Sequence, residues 1–118
     1  MTKLSENFER HEFACKCGCG QDTVDAELIN VLQWLRDVVR REVKISSGNR
    51  CPVYNRKVGG AARSKHKIGR AADISVTGMT PGSVFTLIDN EFPDRLGLIQ
   101  YSTFVHVDTR DGRYRDQR

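Results

Sequence analysis

Two of the three histidines in this 118-residue chain sit in polar surroundings beside segments that read as strands. His66 falls in Ser64-Lys65-His66-Lys67-Ile68-Gly69-Arg70-Ala71-Ala72-Asp73, and His106 in Phe104-Val105-His106-Val107-Asp108. Two imidazoles and one carboxylate are a common zinc set that leaves a fourth position open for water. Bound zinc lowers the pKa of that water from about 15.7 to about 7 and polarises the carbonyl under attack, so hydrolysis needs no activated Ser or Cys. Spacing alone does not decide that these residues converge, because a His or Asp taken singly is more often an ordinary polar residue.

A second group that could do chemistry is Cys15, Cys17 and Cys19 together with the distant Cys51, which adjoins Arg50. Four thiols can make two disulfides in an oxidising compartment or one tetrahedral structural zinc site, and they stay free in a cytoplasm. Cys-x-Cys-x-Cys differs from the usual Cys-x-x-Cys half-site, and strand-like alternation would put all three thiols on one side. The expectation is that Cys51 pairs with one N-terminal cysteine, with a structural zinc as the alternative.

The elements that must position these residues follow from the apolar pattern. Val24, Leu28, Val31, Leu35 and Val38 recur at spacings of four and three, a helix over roughly 24–41, with Leu32 and Trp34 broadening its stripe. Val43-Lys44-Ile45 reads as a short strand, and the Gly-, Arg- and Lys-rich stretch 50–70 as surface loop, the kind of segment that often carries chemistry on a rigid scaffold. Residues 71–76 read as a strand. Thr80 caps and Pro81 opens a second helix, with Val84, Leu87, Ile88 and Glu91 giving its register. Strands over 96–100 and 104–108 follow, joined by a turn near Ser102, with Phe104, His106 and Asp108 on one face and Val105 and Val107 on the other.

No repeat, low-complexity run or linker divides the chain, so residues 1–118 are read as one domain. Hydrophobic residues make up 38% and charged residues 29%, the balance of a soluble globular protein. The net charge of +4 suits an anionic partner such as a bacterial wall, a nucleic acid or a membrane. No stacking-aromatic or recognition-helix pattern supports nucleic-acid binding, and no stretch approaches the ~20 apolar residues of a membrane span. The densest basic cluster, Arg110, Arg113, Arg115 and Arg118, is partly cancelled by Asp111 and Asp116 and reads as a solvated tail. The start of the chain has no apolar core segment. If the chain acts on a cell wall, the expectation is a monomer made in the cytoplasm and delivered to the cell wall or periplasm by another agent, or carried on a phage particle.

Ser64-x-His66-x-x-Gly69-x-Ala71-x-Asp73, followed by His106-Val107-Asp108, resembles the metal-site pattern of the zinc D-alanyl-D-alanine carboxypeptidase and murein endopeptidase family, peptidase family M15, which also contains phage endolysins. Ser46-Ser47-Gly48-Asn49-Arg50-Cys51-Pro52 and Asn55 resemble the segment that precedes this motif, and the stretch Glu12 to Gly20 resembles a branch of small, phage-endolysin-like members. The resemblance implies an α+β fold, a small antiparallel sheet packed against helices with the zinc site on the sheet face. It implies one catalytic zinc on His66, Asp73 and His106. Arg50 would pair with a substrate carboxylate or the developing oxyanion. Ser64 would orient His66 or the substrate, or else cap a helix or turn; Tyr101 would contact the substrate; and Asp108 would hydrogen-bond a ligand imidazole or simply end its strand.

The implied activity is hydrolysis of a peptide bond in the peptidoglycan stem peptide or cross-link, of carboxypeptidase or endopeptidase type. One departure stands out. Many relatives carry Glu, Asp or His about three residues before the last ligand, as general base; here position 103 is Thr. Tyr101, Ser102 and Gln100 do not serve as bases at neutral pH. Asp108 is the nearest carboxylate, so three alternatives stand: a base from elsewhere such as Asp108, zinc hydroxide acting with little help, or a zinc-containing module that binds wall peptide with weak or no catalysis.

Overall fold

The computed structural model describes residues 3–118. The four-three spacing after Thr23 does produce a helix, α1 (Ala26–Val39). It begins where the Asp25 carboxylate accepts the Leu28 N–H at 3.2 Å and ends where Arg40 turns left-handed at φ 54°. Leu28, Ile29, Val31, Leu32 and Leu35 are its buried face, each worth roughly 1.5–3 kcal/mol over exposure. Val38, expected on the stripe, is 49% exposed, because in the last turn it is Val39 that packs against the core.

The remaining elements are β1 (Lys3–Ser5), β2 (Phe8–Glu9), β3 (Val43–Ser47), α2 (Pro52–Lys57), β4 (Ala71–Val76), α3 (Pro81–Glu91), β5 (Leu96–Gln100), β6 (Val105–Asp108) and β7 (Arg113–Gln117). Short 3-10 helices lie at Arg10–Phe13 and Lys65–Ile68. α3 starts as its sequence indicates, with the Thr80 hydroxyl accepting the Ser83 N–H at 3.1 Å and Pro81 at the first helical position.

The main sheet has the order β3-β4-β6-β5-β7, giving the α+β fold. The first four strands pair antiparallel, but β7 joins β5 in parallel, so the sheet is mixed. The reason is geometric. β6 ends at Asp108 opposite Gly97, the start of β5, and its other edge is already taken by β4. The short link through Gly112 (φ 79°) crosses the start of β5, so the returning chain must run in the β5 direction, beginning with Arg113 beside Leu96.

β7 corrects the reading of the C-terminal arginines as a solvated tail. Arg115 donates to Asp89 at 2.6 Å and to the carbonyls of Leu96, Phe92 and Arg95 at 2.6–2.9 Å, clamping the end of α3 to the sheet edge. A charge run reads as solvent-facing only while its partners, here carbonyls distant in sequence, are out of sight.

Strand alternation divides the sheet into two faces. Ala72, Ile74, Val76, Leu98, Val105 and Val107 are buried with α1 and α3 in the core. Asp73, His106, Ile99 and Asp108 take the other face, and the registers Asp73↔His106 and Ile99↔His106 set the first three side by side.

Candidate active site

Asp73 and His106 meet because they are directly opposed on adjacent antiparallel strands, where side chains on one face stand about 5 Å apart. His66 arrives from the 3-10 turn at Lys65–Ile68. Ser64 caps that turn by accepting the His66 N–H at 3.2 Å, and Gly69 ends it at φ 73°. A Cβ on Gly69 would lie 2.3 Å from the Thr23 carbonyl oxygen, so glycine is required there for both conformation and space.

The three groups converge on one atom. His66 Nε2 stands 3.1 Å and His106 Nδ1 3.3 Å from Asp73 Oδ1, and all three residues are buried. Their far sides fix which nitrogen carries a proton. His66 Nδ1 lies 2.7 Å from the Gly48 carbonyl oxygen, which can only accept, so Nδ1 is the N–H and Nε2 presents its lone pair. His106 Nε2 lies 2.7 Å from Asp108 Oδ2, which likewise directs the His106 Nδ1 lone pair at Asp73. Two lone pairs and a carboxylate oxygen crowded together are a stable arrangement only around a cation or shared protons.

A zinc ion fits. With Zn–N and Zn–O bonds of about 2.0–2.1 Å, tetrahedral ligand atoms stand about 3.3 Å apart, and the observed separations are 3.1 and 3.3 Å. Without an ion, shared protons must take its place between these nitrogens and Asp73. Burial alone would raise the Asp73 carboxyl, but hydrogen bonds from His106 and His66 hold it far below the ordinary carboxylate range. Burial would lower His106, and the Asp108 and Asp73 carboxylates outweigh it and raise its pKa.

Asp108 is fully buried behind His106. Arg110 grips it through Nε to Oδ1 at 2.8 Å and Nη2 to Oδ2 at 2.7 Å. Burial would raise the Asp108 carboxyl, yet this fork and His106 keep it ionised well below its usual range. A Cβ at Gly97 would come within 2.5 Å of the Asp108 carboxylate and Arg110 Nε, so a bare glycine makes room for the pair.

Arg50 reaches the site from the turn after β3. Its Nε donates to Ser47 Oγ at 3.1 Å, Nη1 to Asn55 Oδ1 at 3.3 Å and Nη2 to Asp73 Oδ2 at 3.1 Å. Asn55 is itself buried and donates to the Ala61 carbonyl at 2.9 Å. Arg110 and Asn55 are the positioning residues that sequence reasoning did not assign. Asn55 was visible in the motif before His66, and Arg110 was hidden in the basic run.

The convergence opens into a cleft of about 670 Å³. Arg50, Arg63, Lys65, Arg110 and Arg118 line it, and Asp73 is the one carboxylate among the described lining residues. Ser64 and Tyr101 also line it. Tyr101 stacks on Phe104, with ring centroids 4.4 Å apart, and its hydroxyl accepts from Arg118 Nη1 at 3.3 Å. Thr103 and Ser102 are exposed in the β5–β6 turn, and Gln100 lies on the opposite face beside Gly82.

A family model described as Peptidase M15 matches residues 6–108, a span that contains every residue of the His66–Asp73–His106 centre. The chain belongs to the peptidase M15 family. It is therefore a peptidase, acting on a peptide substrate, and M15 peptidases are zinc-dependent. No curated protein matches the chain. Among the described residues, no helix of this M15 chain is long and apolar enough to cross a membrane.

The cysteines correct the expected disulfide. Cys15, Cys17, Cys19 and Cys51 are all free. Cys15 Sγ is 3.5 Å and Cys51 Sγ 3.6 Å from Cys17 Sγ, well beyond a 2.05 Å bond. Residues 15–20 are not strand-like. The Gly18 N–H donates to the Cys15 carbonyl at 3.2 Å, and Gly18 and Gly20 take φ of 84° and 90°, so the segment curls and gathers its thiols around a point.

Proposed function

We propose that this protein is a zinc-dependent peptidase that hydrolyses a peptide bond in the stem peptide or cross-link of bacterial peptidoglycan. The observation that carries the reading is the aim of two imidazole lone pairs at Asp73 Oδ1, at the floor of a cleft lined by five cationic side chains. Stem peptides bear free carboxylates, and a basic cleft concentrates and orients such substrates.

When bound by His66, Asp73 and His106, zinc would polarise the scissile carbonyl and bring the pKa of a water from about 15.7 to about 7. The chain's own residues supply the rest. Gly48 and Asp108 hold the two imidazoles in the ligating tautomers. Arg50 spends three of its five N–H donors on Ser47, Asn55 and Asp73, and the two that remain, in the cleft, suit a substrate carboxylate or the negative charge growing on the carbonyl oxygen. Tyr101, stacked on Phe104, offers the substrate a flat wall. Asp108, buried and committed to His106 and Arg110, serves as orienting group and not as the base.

A second reading is favoured by one observation: beyond Asp73, no carboxylate lines the described cleft. It is a zinc-containing module that binds wall peptide with weak or no catalysis. Mass spectrometry of soluble fragments from purified peptidoglycan separates the two readings. New peptide termini, or released D-alanine, that vanish on chelation and in His66→Ala establish the peptidase. No release by zinc-loaded protein that still binds the wall establishes the module.

A further inference from the structure

We propose that Cys15, Cys17, Cys19 and Cys51 form a second, structural zinc centre that locks the N-terminal segment against the turn bearing Arg50. The proposal is independent of the chemistry at His66, Asp73 and His106.

The four Sγ atoms all lie within 4.8 Å of one another, with Cys17 3.5 Å from Cys15 and 3.6 Å from Cys51. With Zn–S bonds of about 2.3 Å, tetrahedral sulfurs stand about 3.8 Å apart, so one ion fits with little movement. An iron–sulfur cluster, with its inorganic sulfide core, would hold its thiolates further apart than this. Backbone amides already point at the sulfurs: the Cys51 N–H at Cys15 Sγ and the Tyr54 N–H at Cys51 Sγ, both at 3.4 Å. Such donors stabilise thiolates. Cys15 is buried, while Cys17 and Cys19 are exposed, which leaves an entry path for the ion. In forming the centre, four thiols release four protons and bind one dication with no change of oxidation state.

The location gives the centre a task. Cys51 is the N-cap of α2 and follows Arg50 directly. On the other strand of the clamp, the Asn49 N–H donates to the Phe13 carbonyl at 2.8 Å, and a Cβ on Gly48 would lie 2.7 Å from Phe13 Cα. Gly48 carries the carbonyl that holds His66, and Arg50 carries the guanidinium that pairs with Asp73 and lines the cleft. The turn with both functions is thus packed on residues 13–15, and a four-thiolate zinc would pin that contact through Cys15 and Cys51.

Metal analysis of the purified protein should find about two zinc ions per chain, one in Cys17→Ser, one in His66→Ala and none in the double variant. Cobalt-substituted His66→Ala should show thiolate-to-metal charge-transfer absorption that Cys17→Ser lacks. If Cys17→Ser fails to fold, X-ray absorption of zinc-loaded His66→Ala decides the matter. A shell of sulfur at about 2.3 Å supports the centre, and a shell of nitrogen and oxygen overturns it. A single zinc lost in His66→Ala but kept in Cys17→Ser also overturns it, as does iron in place of zinc, or an intact mass short of the hydrogens lost to disulfides. None of these readouts depends on peptidase activity, so the centre and the peptidase reading can fail separately.

Discussion

His106 is held from behind by Asp108, whose Oδ2 sits 2.7 Å from Nε2 while Nδ1 faces Asp73 across the ring. The pair fixes the imidazole in one tautomer and one orientation, and Arg110 keeps the carboxylate charged.

Asp108→Asn should therefore act through His106. An amide can present its NH2 to Nε2 and so permit the wrong tautomer, and such partners of metal ligands are worth about 10–100-fold in metal affinity or activity. Zinc titration of the variant and its turnover should both fall in that range. Unchanged zinc affinity would remove the orienting role.

Arg50→Lys tests whether the fork or only the charge matters. A lysine cannot reproduce three fixed donations to Ser47, Asn55 and Asp73 with two more directed into the cleft. Turnover of peptidoglycan fragments should drop about 10²–10³-fold, the effect of losing one oxyanion donor, while metal content stays at the wild-type value. Full activity in the lysine variant would assign Arg50 to charge steering alone.

How far the sequence reaches depends on the range of the interactions. Strands at 71–76 and 96–100 and the Thr80–Pro81 helix start are written locally, in alternation and capping chemistry, and they appear where those signals place them. The convergence of His66, Asp73 and His106 also follows from local motif plus strand parity, once β4 and β6 are neighbours. What was not legible are satisfactions made across the chain. Arg115 looked solvated until carbonyls 20 or more residues away closed on it, and Arg110 until the β6 turn delivered it to Asp108. The cysteine geometry was hidden for a related reason, since two glycines at positive φ curl a segment whose spacing suggests a strand.

The pH dependence of the metal-free protein has a definite sign. His106 has a folded pKa raised above 6.5, so its contribution is fully present below pH 6.5 and is lost as pH rises through the raised value. Asp73 and Asp108, depressed in the fold, contribute above their ordinary 3.8 and lose that only in strong acid. Cys15, held at about 7 against an ordinary 9.0, works the opposite way above neutrality. Subtracting the unfolding free energies of His106→Gln from those of the chelated wild type isolates the histidine. That difference should decline as pH rises above about 6.5, and a flat or rising difference would contradict the raised pKa. Zinc replaces the proton, so the stabilisation it confers should grow over the same interval.

Gly69→Ala tests the seating of His66 without touching a ligand. The substitution places a Cβ 2.3 Å from the Thr23 carbonyl oxygen and 3.3 Å from the Val24 amide nitrogen, both backbone atoms just before α1, and does so at φ 73°. Left-handed strain on alanine and a backbone clash each cost about 1–3 kcal/mol, so a loss of about 2–6 kcal/mol is expected in urea unfolding. The Gly69 carbonyl also accepts the Asp25 N–H at 2.8 Å, so a shift there loosens the α1 cap and the His66 turn together. Zinc affinity should weaken in step with stability. A variant with wild-type stability and zinc binding would show that the turn has room to move, and that His66 is placed by Gly48 alone.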